Sequence, residues 1–489
     1  MKFPAAAPLD AVKFCEFVTA SPSPFHAVAN LSQRLKKAGF ERVSEREPTH
    51  KLTPGGKYFY TRNQSALVAF TLPNGPANAA SLVAGHCDSP CLKVRPVSKR
   101  QKAGYLQVGT ELYGGGLWHT WFDRNLSIAG RVILNTPGAR TEFTSKLVKI
   151  DRPILHIPTL AIHLDRGVNE QLKFNKETEF LPVLGLVNEQ LNSSGSAVPS
   201  RIGTPVGGKK EDSKDGKSDG TSMEDKHHPL LLAAIADELG CAVSDIHDFE
   251  LCLFDTQPST VGGLNNEFIF SPRLDNLTTS WCAIEGLCQA VEAEAASGQP
   301  SKETNVRCAL IYDNEEIGSV SNHGAESNIL PSFIEMLAGL PNADRGYYQI
   351  LANSYLISAD MGHALHPNYE SRYETNNAPK MNQGIVIKTN ANQRYTSNAQ
   401  TTFLLRQIAK RAGVPVQEFE IRNDSTCGST VGPHLSTHVR TVDIGLASLS
   451  MHSIQETSGS GDIKYYIQLF KTFYEEYSKV EKVLTVDEA

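Results

Sequence analysis

Short apolar runs recur along the chain at Ala66–Leu72, Ser81–Ala84, Val306–Tyr312, Tyr355–Ala359, Ile385–Lys388 and Val442–Leu446, most of them bounded by Pro, Gly, Asn or charged residues. Runs of this length predict strands buried on both faces. Helical spacing appears between several of them. The N-terminal stretch reads as two helices. In the second, Ser23 stands as N-cap before a first-turn Pro24, the apolar positions Phe25, Val28, Leu31 and Leu35 follow, and Gly39 supplies the stop. Another helix runs from Pro229 to Leu239, and Leu277, Trp281, Ile284, Cys288 and Val291 mark a long amphipathic one. Strands alternating with helices predict an α/β sheet. From Gln101 to Phe180 the texture changes to short alternating segments, such as Leu106–Val108 and Arg131–Leu134, broken by Gly114–Gly116 and Pro137-Gly138. That pattern predicts antiparallel β structure. The expected fold class is therefore a mixed-sheet α/β sandwich built from about residues 1–97 and 250–489, with an inserted β-rich domain at 98–249. Within the insert, Asn192–Lys226 is rich in Ser, Gly, Lys and Asp and predicts a solvated, disordered surface loop.

A chain of 489 residues exceeds what one core usually serves, which agrees with two domains. Its 40% hydrophobic and 20% charged composition excludes wholesale disorder, collagen repeats and coiled-coil rods. Forty-seven basic against 53 acidic residues give a net charge of −6, so no nucleic-acid partner is expected. No run approaches 18 apolar residues and the first residues lack an apolar signal segment, so no membrane association or secretion is expected. Nine cysteines form an odd set without a C-x-x-C pair. They read as buried thiols of a reducing, cytoplasmic compartment, not as disulfides or cysteine-zinc ligands.

The chemistry lies in where acids and imidazoles fall. Five metal-capable segments follow apolar runs or open a helix: His86-Cys87-Asp88, Asp275, Asp313-Asn314-Glu315-Glu316, Asp360 and His452. Each alone is ordinarily a turn, cap or core residue. Together they stand where strand ends of an open α/β sheet converge on ligands. Carboxylates with imidazoles and no thiolate suit Zn²⁺, Mn²⁺ or Co²⁺, and a cation removes the repulsion of clustered acids. Of two adjacent glutamates, one can bind the ion while the other handles a proton. A carboxylate at Asp88 can fix the tautomer of His86.

In order, Gly85-His86-Cys87-Asp88-Ser89-Pro90, Ser271-Pro272-Arg273-Leu274-Asp275-Asn276, Asp313-Asn314-Glu315-Glu316-Ile317-Gly318-Ser319, Ser358-Ala359-Asp360-Met361 and Met451-His452-Ser453 resemble the motifs of the aspartyl aminopeptidase family of dinuclear zinc exopeptidases. The resemblance spans nearly the whole chain apart from Asn192–Lys226. It implies two zinc ions per subunit, replaceable by Mn or Co. Asp275 would bridge them, with Glu316 and His452 on one and His86 and Asp360 on the other. Glu315 would be the general base and Asp88 the group orienting His86. The resemblance further implies that Lys388, helped by His363, selects an acidic N-terminal residue of short peptides. It implies that His163 reaches a neighbouring subunit's site, that the inserted domain mediates subunit contacts, and that the chain forms a tetrahedral homo-dodecamer. The rival readings are a sibling aminopeptidase preferring neutral residues and a non-catalytic, self-assembling peptide-binding shell. Gly114–Gly116 lacks the G-K-[ST] of a phosphate loop, and the aromatic residues after it point to packing or assembly.

Overall fold

All seven residues of the strand Val306–Tyr312 are buried, with Ala309 and Ile311 in one core and Cys308, Leu310 and Tyr312 in another. An apolar run divided with period two is what a strand covered on both faces requires. In the computed structural model, which describes residues 5–47, 51–136, 138, 141–187, 222–298 and 303–486, this strand lies within a nine-stranded mixed sheet. Its order is Glu41–Arg42, Lys57–Arg62, Ala66–Thr71, Val306–Tyr312, Ala80–His86, Tyr355–Ala359, Arg440–Gly445, Ile385–Lys388 and Val416–Phe419. The central four, Val306–Tyr312 through Arg440–Gly445, are mutually parallel. Antiparallel neighbours flank them on each side.

One face of the sheet shares its core with the helices Leu9–Ala20, Pro24–Lys37, Leu274–Ser297, Ala399–Ala412 and Asp462–Val480. The other face carries Ile329–Ala338 and Tyr347–Asn353. The α/β sandwich follows. Pro24–Lys37 begins as its sequence predicts, with the Ser23 hydroxyl accepting from the His26 N–H and proline in the first turn. Leu274–Ser297 differs from the expected amphipathic helix. Every residue from Leu274 to Ile284 is buried, because this half is packed against both the sheet and the helix Asp462–Val480. A small five-stranded sheet joins Thr260–Gly262, Phe268–Ser271, Glu456–Gly459, Ala447–Leu449 and Gly362–His363.

The chain divides into two compact units, residues 1–90, 113–120 and 258–489 in the first, and 91–112 and 121–257 in the second. The second holds a six-stranded sheet ordered Phe143–Lys149, Leu126–Asn135, Ile246–Asp255, Cys91–Lys102, Tyr105–Tyr113 and Val183–Leu186. Its assigned pairings are antiparallel. The divisions fall at 90/91 and 257/258 where 97/98 and 249/250 were expected. Cys91–Lys102 and Ile246–Asp255 both belong to the second sheet, whose hydrogen bonds keep each strand with one unit. The segment 113–120 returns to the first unit, which the sequence did not foreshadow. In this unit Pro229–Leu239 is helical and closes on Gly240 at φ 63°.

Most of the expected loop, residues 192–221, lies outside the described residues, as does Pro137. Its end is corrected: Met223–Lys226 is a helical turn capped by Ser222, whose hydroxyl accepts from the Asp225 N–H. All nine cysteines lie among the described residues and none forms a disulfide. Among the described residues no helix is long and apolar enough to cross a membrane.

Candidate metal centre

Four of the acid- and imidazole-bearing segments are delivered by the carboxyl ends of strands. His86 is the last residue of Ala80–His86 and pairs in register with Tyr312, after which Glu315 and Glu316 open a single 3₁₀ turn. Asp360 follows Tyr355–Ala359, and His452 lies in the turn after Ala447–Leu449. Asp275 is the second residue of Leu274–Ser297. Tight backbone turns aim these groups inward: Arg273, Asn314, Ser450 and His452 adopt φ values of 56°, 61°, 58° and 66°. Left-handed non-glycine residues cluster at functional sites, where surrounding structure holds them.

The side chains meet. His86 Nε2 lies 3.3 Å from Asp275 Oδ1, 3.4 Å from Asp360 Oδ1 and 3.8 Å from Glu315 Oε2. His452 Nε2 lies 3.3 Å from both Asp275 Oδ2 and Glu316 Oε2. Three overlapping groups, His86–Asp275–Asp360, Asp275–Glu316–His452 and His86–Glu315–Glu316, each place one donor atom per residue within 4.8 Å of the others. Asp275 is common to the first two, one oxygen toward each histidine. The far ring nitrogens are committed elsewhere. His86 Nδ1 donates to the Asp88 carbonyl at 3.1 Å and lies 3.3 Å from Asp88 Oδ1, while His452 Nδ1 donates to the Gly115 carbonyl at 3.0 Å. Both imidazoles therefore present Nε2 inward. Cys87 turns away, its thiol donating to the Ser65 carbonyl at 3.1 Å.

Without a cation this cluster is electrostatically unfavourable. Burial first, and then the charges of Asp360, Glu316 and Asp275, push Glu315 up to about 9. Burial and Asp275 push Glu316 up to about 7. Burial opposes charge on both histidines, yet the surrounding carboxylates win and raise His452 to about 12 and His86 well above its ordinary value. Asp275 Oδ1 and Glu316 Oε1 are buried with no hydrogen-bond partner. Orphaned buried carboxylate oxygens, paired with oriented imidazoles and no thiolate, form a donor set that fits a zinc-type divalent ion.

Two buried acids brace the cluster from behind. Asp88 accepts the N–H groups of Glu315 and Glu316, each at 3.1 Å, and the Tyr113 hydroxyl at 2.7 Å. Glu456 accepts the His452 N–H at 2.7 Å and the Asp275 N–H at 3.1 Å, and burial pushes it to about 8. Sequence reasoning missed Glu456 and Tyr113. Neither follows an apolar run, so no local signal marked them. Gly114–Gly116 is also part of this site. Gly114 sits at φ +75°, where an added Cβ would come within 3.2 Å of Glu316 Cβ, and Gly115 supplies the acceptor for His452.

Lys388 is fully buried at the end of its strand. Its ammonium donates to the Met361 carbonyl at 2.7 Å and stands 5.3 Å from the Tyr395 ring centre. Among the described residues no carboxylate forms an ion pair with it. His363 is exposed and packs its ring edge-on to Phe419, with centroids 5.9 Å apart; desolvation by the surrounding protein and the nearby Lys388 charge lower its pKa. His163 belongs to the second unit. It lies in an exposed turn, beside the exposed Ile162 and Leu164.

Residues 17–474 match the family model described as aminopeptidase I zinc metalloprotease (M18). An aspartyl aminopeptidase of Aspergillus oryzae is 46% identical, with 98% of each chain covered. The cryo-EM structure of the Ape4 and Nbr1 complex superposes with a TM-score of 0.88 at 43% identity, covering 98% of this chain and 88% of that one. The Saccharomyces cerevisiae mApe1 dodecamer superposes at 0.79 with 29% identity, covering 97% and 98%. With the family model matched over residues 17–474 and relatives alike along nearly their full length, the chain belongs to the aminopeptidase I zinc metalloprotease (M18) family and is a metal-dependent aminopeptidase.

Proposed function

We propose that this aminopeptidase removes N-terminal Asp or Glu from short peptides. The carrying observation is Lys388, a buried ammonium whose hydrogen bond to Met361 leaves donors for an incoming acid. An unpaired buried cation is costly, and a substrate carboxylate offsets that cost, whereas a leucine side chain would not. His363 lies two residues after Met361 and supports the same pocket. The Aspergillus oryzae relative is an aspartyl aminopeptidase, which agrees with this reading.

Two zinc ions per subunit fit the donors, with Asp275 shared, Glu316 and His452 completing one set and His86 and Asp360 the other; Mn or Co would serve the same donors. When bound, such ions supply Lewis-acid polarisation and acidify water. The chain's own residues do the rest. Glu315, next to His86 but outside both donor sets, takes the proton of the attacking water and returns it to the leaving amine. Asp88 keeps His86 in the tautomer that points Nε2 inward. Burial of the cluster excludes bulk water and strengthens each of these interactions.

In the same reading the second unit mediates assembly. His163, exposed between apolar neighbours, reaches a partner subunit's site in a tetrahedral dodecamer acting in the cytoplasm. Initial rates on Asp-, Glu- and Leu-anilides test the specificity. The acidic substrates should be cleaved fastest. Fastest cleavage of the Leu compound would instead show a sibling enzyme preferring neutral residues, and a metal-loaded protein without turnover would show a non-catalytic shell.

A further inference from the structure

Tyr113 ends the strand Tyr105–Tyr113, and its side chain is buried. Its hydroxyl donates to Asp88 Oδ2 at 2.7 Å and accepts from the Asn314 side-chain amide at 2.9 Å. The amide thus occupies a phenol lone pair and leaves the O–H to aim at the carboxylate. Asp88 Oδ2 also takes the Glu316 N–H, and Oδ1 takes the Glu315 N–H. These N–H groups open the 3₁₀ turn Glu315–Ile317, whose own N-cap Asn314 makes no side-chain capping bond. Asp88, more than 200 residues away in sequence, does the capping instead.

A carboxylate holds two N–H groups in fixed directions only if its own torsion is fixed. Among the described residues the one ion pair of Asp88 is with His86, and no arginine or lysine pairs with it. Tyr113 is the side-chain hydroxyl that grips it from the side opposite His86. Removing that hydroxyl leaves the N–H bonds formed but frees the carboxylate to rotate. The turn carrying Glu315 and Glu316 would rotate with it.

We propose that Tyr113 is a positioning residue for the Glu315–Glu316 pair, acting through the Asp88 carboxylate. This rests on the reading of Glu315 as base and Glu316 as metal donor given above. Supporting groups of this kind typically change activity or metal affinity by roughly 10–100-fold.

The test uses the full-length, zinc-loaded protein and the variants Tyr113→Phe, Asp88→Asn and their double. Turnover and KM are measured on an aspartyl anilide, zinc release to a chelator is timed, and melting is followed. Tyr113→Phe should lower kcat roughly 10–100-fold with KM little changed, and it should speed zinc release. On the Asp88→Asn background the same substitution should add almost nothing. Wild-type kcat and zinc release in Tyr113→Phe would overturn the proposal, as would losses that multiply in the double variant. Should Tyr113→Phe melt too early to assay, Asn314→Gly suits the local φ of 61° and removes the amide. Its loss must likewise vanish on the Asp88→Asn background, and a multiplied loss overturns the proposal. Glu315→Gln separates the two ideas. Full activity in that variant would sink the base assignment, while zinc release still reports on Tyr113.

Discussion

Metal loading should expel protons, and their number follows from the arrangement of charges. At pH 7 in the metal-free protein His86 and His452 are both protonated, because the carboxylates around them raise their pKa values. Glu315, pushed to about 9, holds a proton, and Glu316, at about 7, holds about half of one. Metal binding requires neutral imidazole and ionised carboxylate. Occupation of both donor sets should therefore release about two and a half protons per subunit at pH 7 from the histidines and Glu316, and the added positive charge should drive off about one more from neighbouring Glu315. The direction is fixed by linkage. Raised pKa values mean the folded, metal-free chain binds more protons than the unfolded one, so its stability falls as pH rises from about 4.5, the ordinary glutamate value, through the folded values near 7 and 9. The histidines act in the same direction, their contributions being full below about 6.5; that of His452 is lost as pH rises toward about 12, and that of His86 as pH rises through its own raised value. Calorimetric titration of metal-free protein with Zn²⁺ in buffers of different ionisation enthalpy measures the count. The combined apparent constant for filling both donor sets should climb about a thousandfold or more per pH unit near pH 7. Release of fewer than one proton would show that the cluster does not carry the charge pattern described.

Other substitutions probe separate parts of the site. Glu315→Gln should keep zinc and assembly while turnover falls roughly 10²–10⁴-fold; metal analysis with steady-state rates decides, and an undiminished rate removes Glu315 from proton transfer. Lys388→Leu should lower kcat/KM on Asp- and Glu-anilides roughly 30-fold or more, with less effect on Leu-anilide, since truncating one partner of a buried charge pair costs about 2–5 kcal/mol. Equal losses on all three would remove it from the acid-binding pocket. Gly114→Ala should destabilise the fold by about 1–2 kcal/mol, read from melting, because its φ of +75° disfavours a Cβ. It should also lower zinc affinity by pressing on Glu316, and wild-type affinity would show that the segment does not support the centre. His163→Phe should slow turnover without changing metal content, and an unchanged rate would remove the proposed cross-subunit contact.

Much of this site could be read from sequence because each strand announces its own end. The apolar runs before His86, Glu315 and Asp360 are long enough to be strands, and in a parallel sheet the carboxyl ends of adjacent strands must lie side by side. Asp275 and His452 were also read from position, one opening a helix and the other following an apolar run, although either alone is ordinarily a cap or core residue. Glu456 and Tyr113 were not legible at all. Their roles come from hydrogen bonds to the backbone of distant segments, and a backbone N–H is identical at every position. The glycines 114–116 were read for packing or assembly, whereas the Gly115 carbonyl accepts the hydrogen bond of His452 Nδ1.

The order of apolar runs and helical spacings by itself determined the α/β class, the β-rich insertion and the set of residues able to bind a metal, because burial and strand periodicity are local properties of the chain. Only the tertiary structure decided which oxygens are left without partners, which histidine nitrogen faces inward and which acids serve as braces. Those outcomes depend on distances between segments hundreds of residues apart, and no local pattern of side chains encodes a distance.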